Sequence, residues 1–401
     1  MLYVPSREIL EKYATILVRF ALNSGEGVRP GQSVRVTIPE VAKPLYVPLR
    51  NALLEAGAHP LMQYLPDSVE AAGYYERASD AQLQFAPMAF WKGIVEQYDH
   101  TISIIAEADK YELKSIDPDK LMRQQASRKP VQDMFRDKED QGLYTWTLAL
   151  YGTEAMASDV GMTLEEYWQQ IIAACYLDQA DPVQAWKQLF KELEGIRQHL
   201  NDLPIEWVHV TGKDVDLKIR LGANRQWLGG SGRNIPSFEL FTSPDCREAE
   251  GWIRFNQPLY RYGNRMSGIY LEFKNGRVIN ASAEEGEGLL KEMISTAGAD
   301  RMGEFSLTDR RHSKITRRMG ETLFDENIGG EYGNTHIALG NAYRDGLRGD
   351  ISSLTEEDFI AQGLNTSSIH TDIISTAPRE VTAVLCDGSS RCIYANGQFL
   401  V

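Results

Sequence analysis

Five residues in the last part of the chain, Glu239, Glu304, His336, His370 and Asp372, are of the types that hold metal ions. They sit in four short blocks: Asn234-Ile-Pro-Ser-Phe-Glu239-Leu-Phe-Thr-Ser-Pro244, Arg301-Met-Gly-Glu304, His336-Ile-Ala-Leu-Gly-Asn-Ala-Tyr343 and Ser368-Ile-His370-Thr-Asp372. Three carboxylates and two imidazoles suit a pair of divalent cations. Three negative charges against four positive leave a surplus of one, which a hydroxide would neutralise. A hydroxide held by metal is the nucleophile that hydrolysis at neutral pH requires. The set therefore predicts a metallohydrolase.

Each residue alone is weaker evidence. His370 and Asp372 lie in an apolar-flanked run, Ile369 to Ile374, that reads as a strand. With a side-chain period of two they project from one face about 7 Å apart, a rigid pair of ligands or a plain surface pair. If His336 to Tyr343 is helical, its two end residues share a face. Gly340 makes a turn equally allowed, and a histidine beside an apolar run is often a hydrogen-bonded core residue. Glu239 and Glu304 have apolar neighbours, a setting in which an unpaired carboxylate is costly and a cation partner relieves the cost. Asp325, Glu326 and Glu331 could supply a sixth ligand, but read best as supports that orient an imidazole, with a loop of turn formers as the bland alternative.

The chain has 401 residues, 43% hydrophobic and 24% charged, enough apolar content for two sizeable cores. A net charge of −14 and a pI near 5.1 disfavour nucleic acid or an anionic membrane as partner, and mildly favour a cationic group such as a peptide amino terminus. Cys175, Cys246, Cys386 and Cys392 show no CxxC spacing and read as free thiols of a reducing cytoplasm. The opening Met1-Leu-Tyr-Val-Pro-Ser-Arg lacks the pattern of a secretion signal, and no run of ~18 apolar residues suggests a membrane span. A soluble cytoplasmic protein is expected.

Two domains must position these residues, divided near residue 201. Residues 1–200 read as an α/β domain with a mainly parallel sheet and a helical extension. Ser6 caps a helix with apolar positions Ile9, Leu10, Tyr13, Ile16, Leu17 and Phe20. The strand Ser33 to Ile38, a helix from about Val41 to Ala56 and a strand near Pro60 to Leu65 make a βαβ unit. Gly73 to Gly93 reads as largely helical, Thr101 to Ala106 as a further parallel strand, and Pro118 to about Leu200 as mostly helical. Residues 201–401 read as a β-rich α+β catalytic domain. Its hairpin signals are Asn275-Gly276, Asp387-Gly388 and Asn396-Gly397.

In this order the blocks resemble the thermophilic aminopeptidase family, the group of aminopeptidase T, aminopeptidase S and PepS. The resemblance spans nearly the whole chain, from Tyr13-Ala-Thr-Ile-Leu-Val-Arg and Pro30-Gly-Gln-Ser, through Gly229-Gly-Ser-Gly-Arg-Asn-Ile-Pro and Glu239-Leu-Phe-Thr-Ser-Pro. It ends with Leu323-Phe-Asp-Glu-Asn, the His336 block and Ile369-His-Thr-Asp372. Phe238 stands where the family usually has glycine. The resemblance implies a cocatalytic metallo-aminopeptidase in which Glu239, Glu304, His336, His370 and Asp372 bind two divalent cations and Tyr343 lines the site. It also implies a homodimer with an enclosed cavity, using zinc, cobalt or magnesium. The ligand types alone would equally accept manganese.

The expected reaction removes the amino-terminal residue of a peptide by attack of a hydroxide bridging both cations. Glu304 is expected to bridge the metals, Tyr343 to donate to the tetrahedral oxyanion, and Glu326 to shuttle a proton. Two alternatives use the same residues: a metal-dependent amidohydrolase acting on a small amide, and a non-catalytic protein that binds metal and peptide.

Overall fold

The computed structural model describes residues 3–66, 71–222 and 224–401. The first helix, Arg7–Arg19, starts where Ser6 Oγ accepts a hydrogen bond from the amide of Ile9 at 3.3 Å. Its stripe of Leu10, Tyr13, Ile16 and Leu17 is buried, as its spacing requires. Beyond it Gly27 has φ +77°, and a Cβ there would lie 2.4 Å from the backbone of Arg19, so only glycine lets the chain turn this tightly.

Strands Ser33–Pro39, His59–Leu65, His100–Ile105 and Thr145–Leu150 form a parallel sheet, with Ser33–Pro39 between the second and third. The βαβ unit expected at its start is present. Its crossover is a 3-10 turn, Glu40–Leu45, followed by the helix Tyr46–Glu55. Helices Ala71–Arg77, Asp80–Leu83 and Met88–Gln97 precede the third strand, and five more lie between Pro118 and Asp202. That last stretch differs from its helical reading at Thr145–Leu150. This short run of β-branched, aromatic and aliphatic residues is too brief for periodicity to assign, and pairing with His100–Ile105 makes it a strand. The two-residue strand Asn234–Ile235 adds a fifth parallel rung beside it, so chain from beyond residue 201 enters the first sheet.

The rest of the chain after residue 204 is mainly antiparallel. An eight-stranded sheet contains the three expected hairpins. Asn275 (φ +50°) and Gly276 (φ +72°) join Tyr270–Lys274 to Arg277–Ser282, the double left-handed conformation that matches strand twist in a two-residue turn. A four-stranded sheet runs in the order His370–Ser375, Asn334–Gly340, Met302–Thr308, Glu239–Thr242, every neighbour antiparallel. His336 therefore lies on a strand, and the helix or turn allowed by its sequence does not form. All seven residues of Asn334–Gly340 are buried, and a fully buried strand carries the same unbroken apolar run as a buried helix.

One cluster of buried apolar side chains extends from Leu10 to Phe399 and includes residues of both halves. Trp186, on the long helix Pro182–Asp202, stacks on Phe20 at 5.7 Å and on Phe238 at 5.8 Å. That stacking ties the first helix to the residue that precedes Glu239. Among the described residues no helix is long and apolar enough to cross a membrane.

Candidate metal centre

The four-stranded sheet brings the five residues onto one face. Antiparallel partners directly opposite each other point to the same side, and the register pairs Thr308 with Glu239, Ser306 with His336, Glu304 and Asp372 with Ala338, and His370 with Gly340. Along each strand the period of two selects Glu304 and Ser306, His336 and Ala338, His370 and Asp372. The intervening residues Phe305, Leu307, Ile337, Leu339 and Ile373 turn to the other face and are fully buried. Apolar packing on one face thus fixes the register that assembles the polar face.

The distances are short. His336 Nε2 lies 3.2 Å from Glu239 Oε2 and 3.2 Å from Glu304 Oε1. His370 Nε2 lies 3.4 Å from Glu304 Oε2 and 3.4 Å from Asp372 Oδ1. Glu304 stands between the two imidazoles with one oxygen toward each. Three triads offer ligand atoms within 4.8 Å of one another: Glu239, Glu304 and His336; Glu304, His370 and Asp372; Glu326, His336 and Asp372. Glu326 thus joins the group, while Glu331, which the sequence groups with it, is exposed and contributes its carbonyl to Arg310. Asp325 is turned to the loop, where its carboxylate accepts from the amide of Met319 at 2.6 Å.

Neighbours that the sequence reading did not single out hold these groups in place. Ser306 Oγ donates to Glu239 Oε2 at 2.6 Å. Asn234 Nδ2 donates to Glu326 Oε1 at 3.0 Å, and Asn327 accepts from the amide of Phe238 at 2.6 Å, linking the Glu326 loop to the start of the Glu239 strand. His370 Nδ1 is 2.8 Å from the carbonyl of Asn341, so that nitrogen carries a hydrogen and the ring is oriented with Nε2 toward Glu304 and Asp372. Gly340 permits this approach: a Cβ there would lie 2.0 Å from the carbonyl oxygen of Ile369.

Electrostatics mark the centre as short of positive charge. Burial disfavours imidazolium at His336 and His370, yet the adjacent carboxylates outweigh it and push both well above the ordinary range. Burial also opposes ionisation of Asp372, but His370 outweighs it and holds the carboxyl well below its usual range. Glu326 is pushed well up by burial and by Glu239 and Asp372. Four carboxylates converge here with two imidazoles. Without added cations the cluster has to borrow protons, and divalent cations replace them with oxygen and nitrogen ligands of suitable hardness. The donor set fits such ions.

The face opens onto a cavity of about 490 Å³ lined by Glu239, Glu304, Glu326, His370, Asp372 and Tyr343, with Trp146, Leu148, Glu107 and Lys110 from the first half forming part of the wall. Tyr343 lies beyond the end of the His336 strand. Its ring packs on Phe241 at 5.2 Å and edge-on to His370 at 5.3 Å, and the Arg233 guanidinium lies 5.3 Å from its centre. Burial first, then the charge of Glu304, keeps its hydroxyl protonated far above the usual range.

The chain is similar to known aminopeptidases over nearly its whole length. Aminopeptidase T of Thermus aquaticus is 29% identical over 415 positions, covering 98% of this chain and 99% of that protein. Aminopeptidase PepS of Streptococcus thermophilus is 28% identical over 426 positions, covering 98% of each. The solved structure of wild-type AmpT from Thermus thermophilus superposes with a TM-score of 0.82 at 25% identity, over 98% of this chain and 100% of that one. The sequence profile of the thermophilic metalloprotease family (M29) matches residues 6–399, and the chain belongs to that family.

Proposed function

We infer that the chain is a metallo-aminopeptidase that hydrolyses the first peptide bond of its substrates. The observation that carries this reading is the convergence of Glu239, Glu304, His336, His370 and Asp372 in one cluster, all but His336 lining a single cavity, in a chain of the M29 family. Its aminopeptidase relatives supply the substrate class, peptides with a free amino terminus.

Glu239, Glu304 and His336 would hold one divalent cation and Glu304, His370 and Asp372 a second, with Glu304 bridging. Zinc, cobalt, manganese and magnesium are the candidates. Such ions supply the Lewis acidity that cleavage of an amide at neutral pH requires. The protein's own groups do the rest. Tyr343 donates its hydroxyl hydrogen to the scissile carbonyl oxygen as charge develops there. Glu326, oriented by Asn234, takes a proton from the attacking water and delivers it to the departing amine. Ser306 and the Asn341 carbonyl keep Glu239 and His370 aimed at the centre.

In this reading residues 201–401 form the catalytic domain, since every candidate ligand lies there, and residues 1–200 contribute cavity wall and a dimer contact. A homodimer is supported by the helix Met88–Gln97, which buries none of its residues and exposes Phe90, and by the half-exposed edge strand His59–Leu65. The four unpaired cysteines suit a reducing cytoplasm. The test is hydrolysis of aminoacyl amides and of amino-blocked peptides after metal removal and readdition. Metal-restored cleavage confined to free amino termini is expected, and equal cleavage of blocked peptides would overturn the reading.

A further inference from the structure

A second cavity, about 470 Å³, adjoins the first and shares with it Trp146, Arg233, Arg261, Tyr343 and His370. Four arginines line it. Three are neutralised: Arg136 by Asp133 at 3.2 Å, Arg233 by Glu139 at 2.8 Å and Asp345 at 2.7 Å, and Arg344 by Asp137 at 2.8 Å and Asp140 at 2.9 Å. Arg261 is different. Among the described residues its one hydrogen bond runs from Nη2 to the carbonyl of His370 at 2.6 Å, no carboxylate lies within ion-pair distance, and its Nε is buried without a partner. Its charge reaches Asp372 from farther away, but that carboxylate belongs to the candidate cation centre.

A guanidinium that no carboxylate engages within ion-pair distance keeps its donors available to an anion. Its planar fork, with five N–H donors, is matched to a carboxylate. Tethering to the backbone of His370 fixes it beside a candidate ligand, where it borders both cavities. Because Arg261 borders both cavities, the first residues past the scissile bond that extend from one cavity into the other bring a terminal carboxyl to it, and longer peptides, at about 3.3–3.6 Å per residue, carry theirs beyond it.

We propose that Arg261 binds the terminal carboxylate of a short peptide whose leaving residues occupy the second cavity, which makes the enzyme selective for di- and tripeptides with a free carboxyl end. The proposal rests on the aminopeptidase reading.

The test uses the metal-loaded enzyme, a dipeptide, the same dipeptide amidated at its carboxyl end, and an aminoacyl amide. Wild type is expected to favour the free acid over the amidated dipeptide by about ten-fold or more in kcat/KM. In Arg261→Gln that ratio falls toward one through a rise in KM for the free acid, and Arg261→Lys recovers part of it. Calorimetric titration with a non-hydrolysable reduced dipeptide, as acid and as amide, is expected to show the same loss of discrimination in binding. A wild-type ratio near one, or a ratio that Arg261→Gln leaves unchanged, overturns the proposal. Cleavage of the aminoacyl amide then still upholds the aminopeptidase reading, and its absence overturns both.

Discussion

Ser306 donates a 2.6 Å hydrogen bond to Glu239 from the position directly opposite His336, so it restrains a candidate ligand without competing for the ion. In Ser306→Ala the carboxylate keeps its place on the strand but gains rotational freedom. Loss of an oriented partner of this kind typically weakens metal binding about 10–100-fold. Competition against a chelator of known affinity measures it, and unchanged affinity would remove Ser306 from the account.

Ala338 lies between Glu304 and Asp372 in the register, with its methyl group on the ligand face. A small residue is needed there because carboxylates from both sides must close over it. Ala338→Leu is expected to displace at least one of them. The variant should stay folded at a cost of roughly 1–3 kcal/mol from overpacking and lose bound cation. Metal content after gel filtration, read beside the far-ultraviolet circular dichroism, checks this, and full metal content would contradict the register argument.

Much of this arrangement was legible in the chain itself. Alternation with apolar residues puts His370 and Asp372 on one strand face, and Asn-Gly and Asp-Gly pairs predict the three hairpins. The strand carrying His336 was ambiguous, since burial on both faces erases the period that separates strand from helix. Thr145–Leu150 is too short a run for periodicity to assign, and its identity is set by His100–Ile105, far away in sequence. Which of Glu326 and Glu331 reaches the ligand cluster is not legible in the sequence, because a loop has no period. The helical turn Thr322–Asp325 and the contact between Asn234 and Glu326 decide between them. Ser306 was within reach, being two residues from Glu304 on a strand.

His100 gives the fold a dependence on acid. It is 2% exposed, with Nδ1 2.9 Å from Thr145 Oγ1, and burial drives its pKa from 6.5 to about 4. The neutral ring is favoured in the folded state, so its contribution is complete above the unfolded value and is lost as pH falls from 6.5 toward about 4. A shift of this size corresponds to at most roughly 3 kcal/mol. Denaturant midpoints of wild type and His100→Gln between about pH 7 and 4.5 should converge as the medium is acidified. Parallel curves would mean that the ring titrates alike in both states.

Glu321 acts in the opposite direction. Burial, and then the nearby Glu107, raises its carboxyl from 4.5 to about 7. The protonated form is favoured on folding, so stability is greatest below 4.5 and declines as pH rises through the interval to about 7. Glu321→Gln keeps the shape and removes the ionisation. Its melting temperature relative to wild type is expected to rise between about pH 5 and pH 8, and a constant difference would refute the buried-carboxyl explanation.

Tyr343 separates binding from chemistry. Arg233 stacks on its ring and is itself held by Glu139 and Asp345, so the ring should keep its position when the hydroxyl is removed. A donor that strengthens only as the carbonyl oxygen gains charge affects turnover more than substrate affinity. Tyr343→Phe is therefore expected to lower kcat on an aminoacyl amide by about 10²–10³ while KM stays within a few-fold. Metal content should not change, because the phenol lies outside the three candidate ligand triads. If kcat were retained, the hydroxyl would have no part in stabilising the oxyanion, and the packing of the ring on Phe241 and His370 would be what Tyr343 contributes.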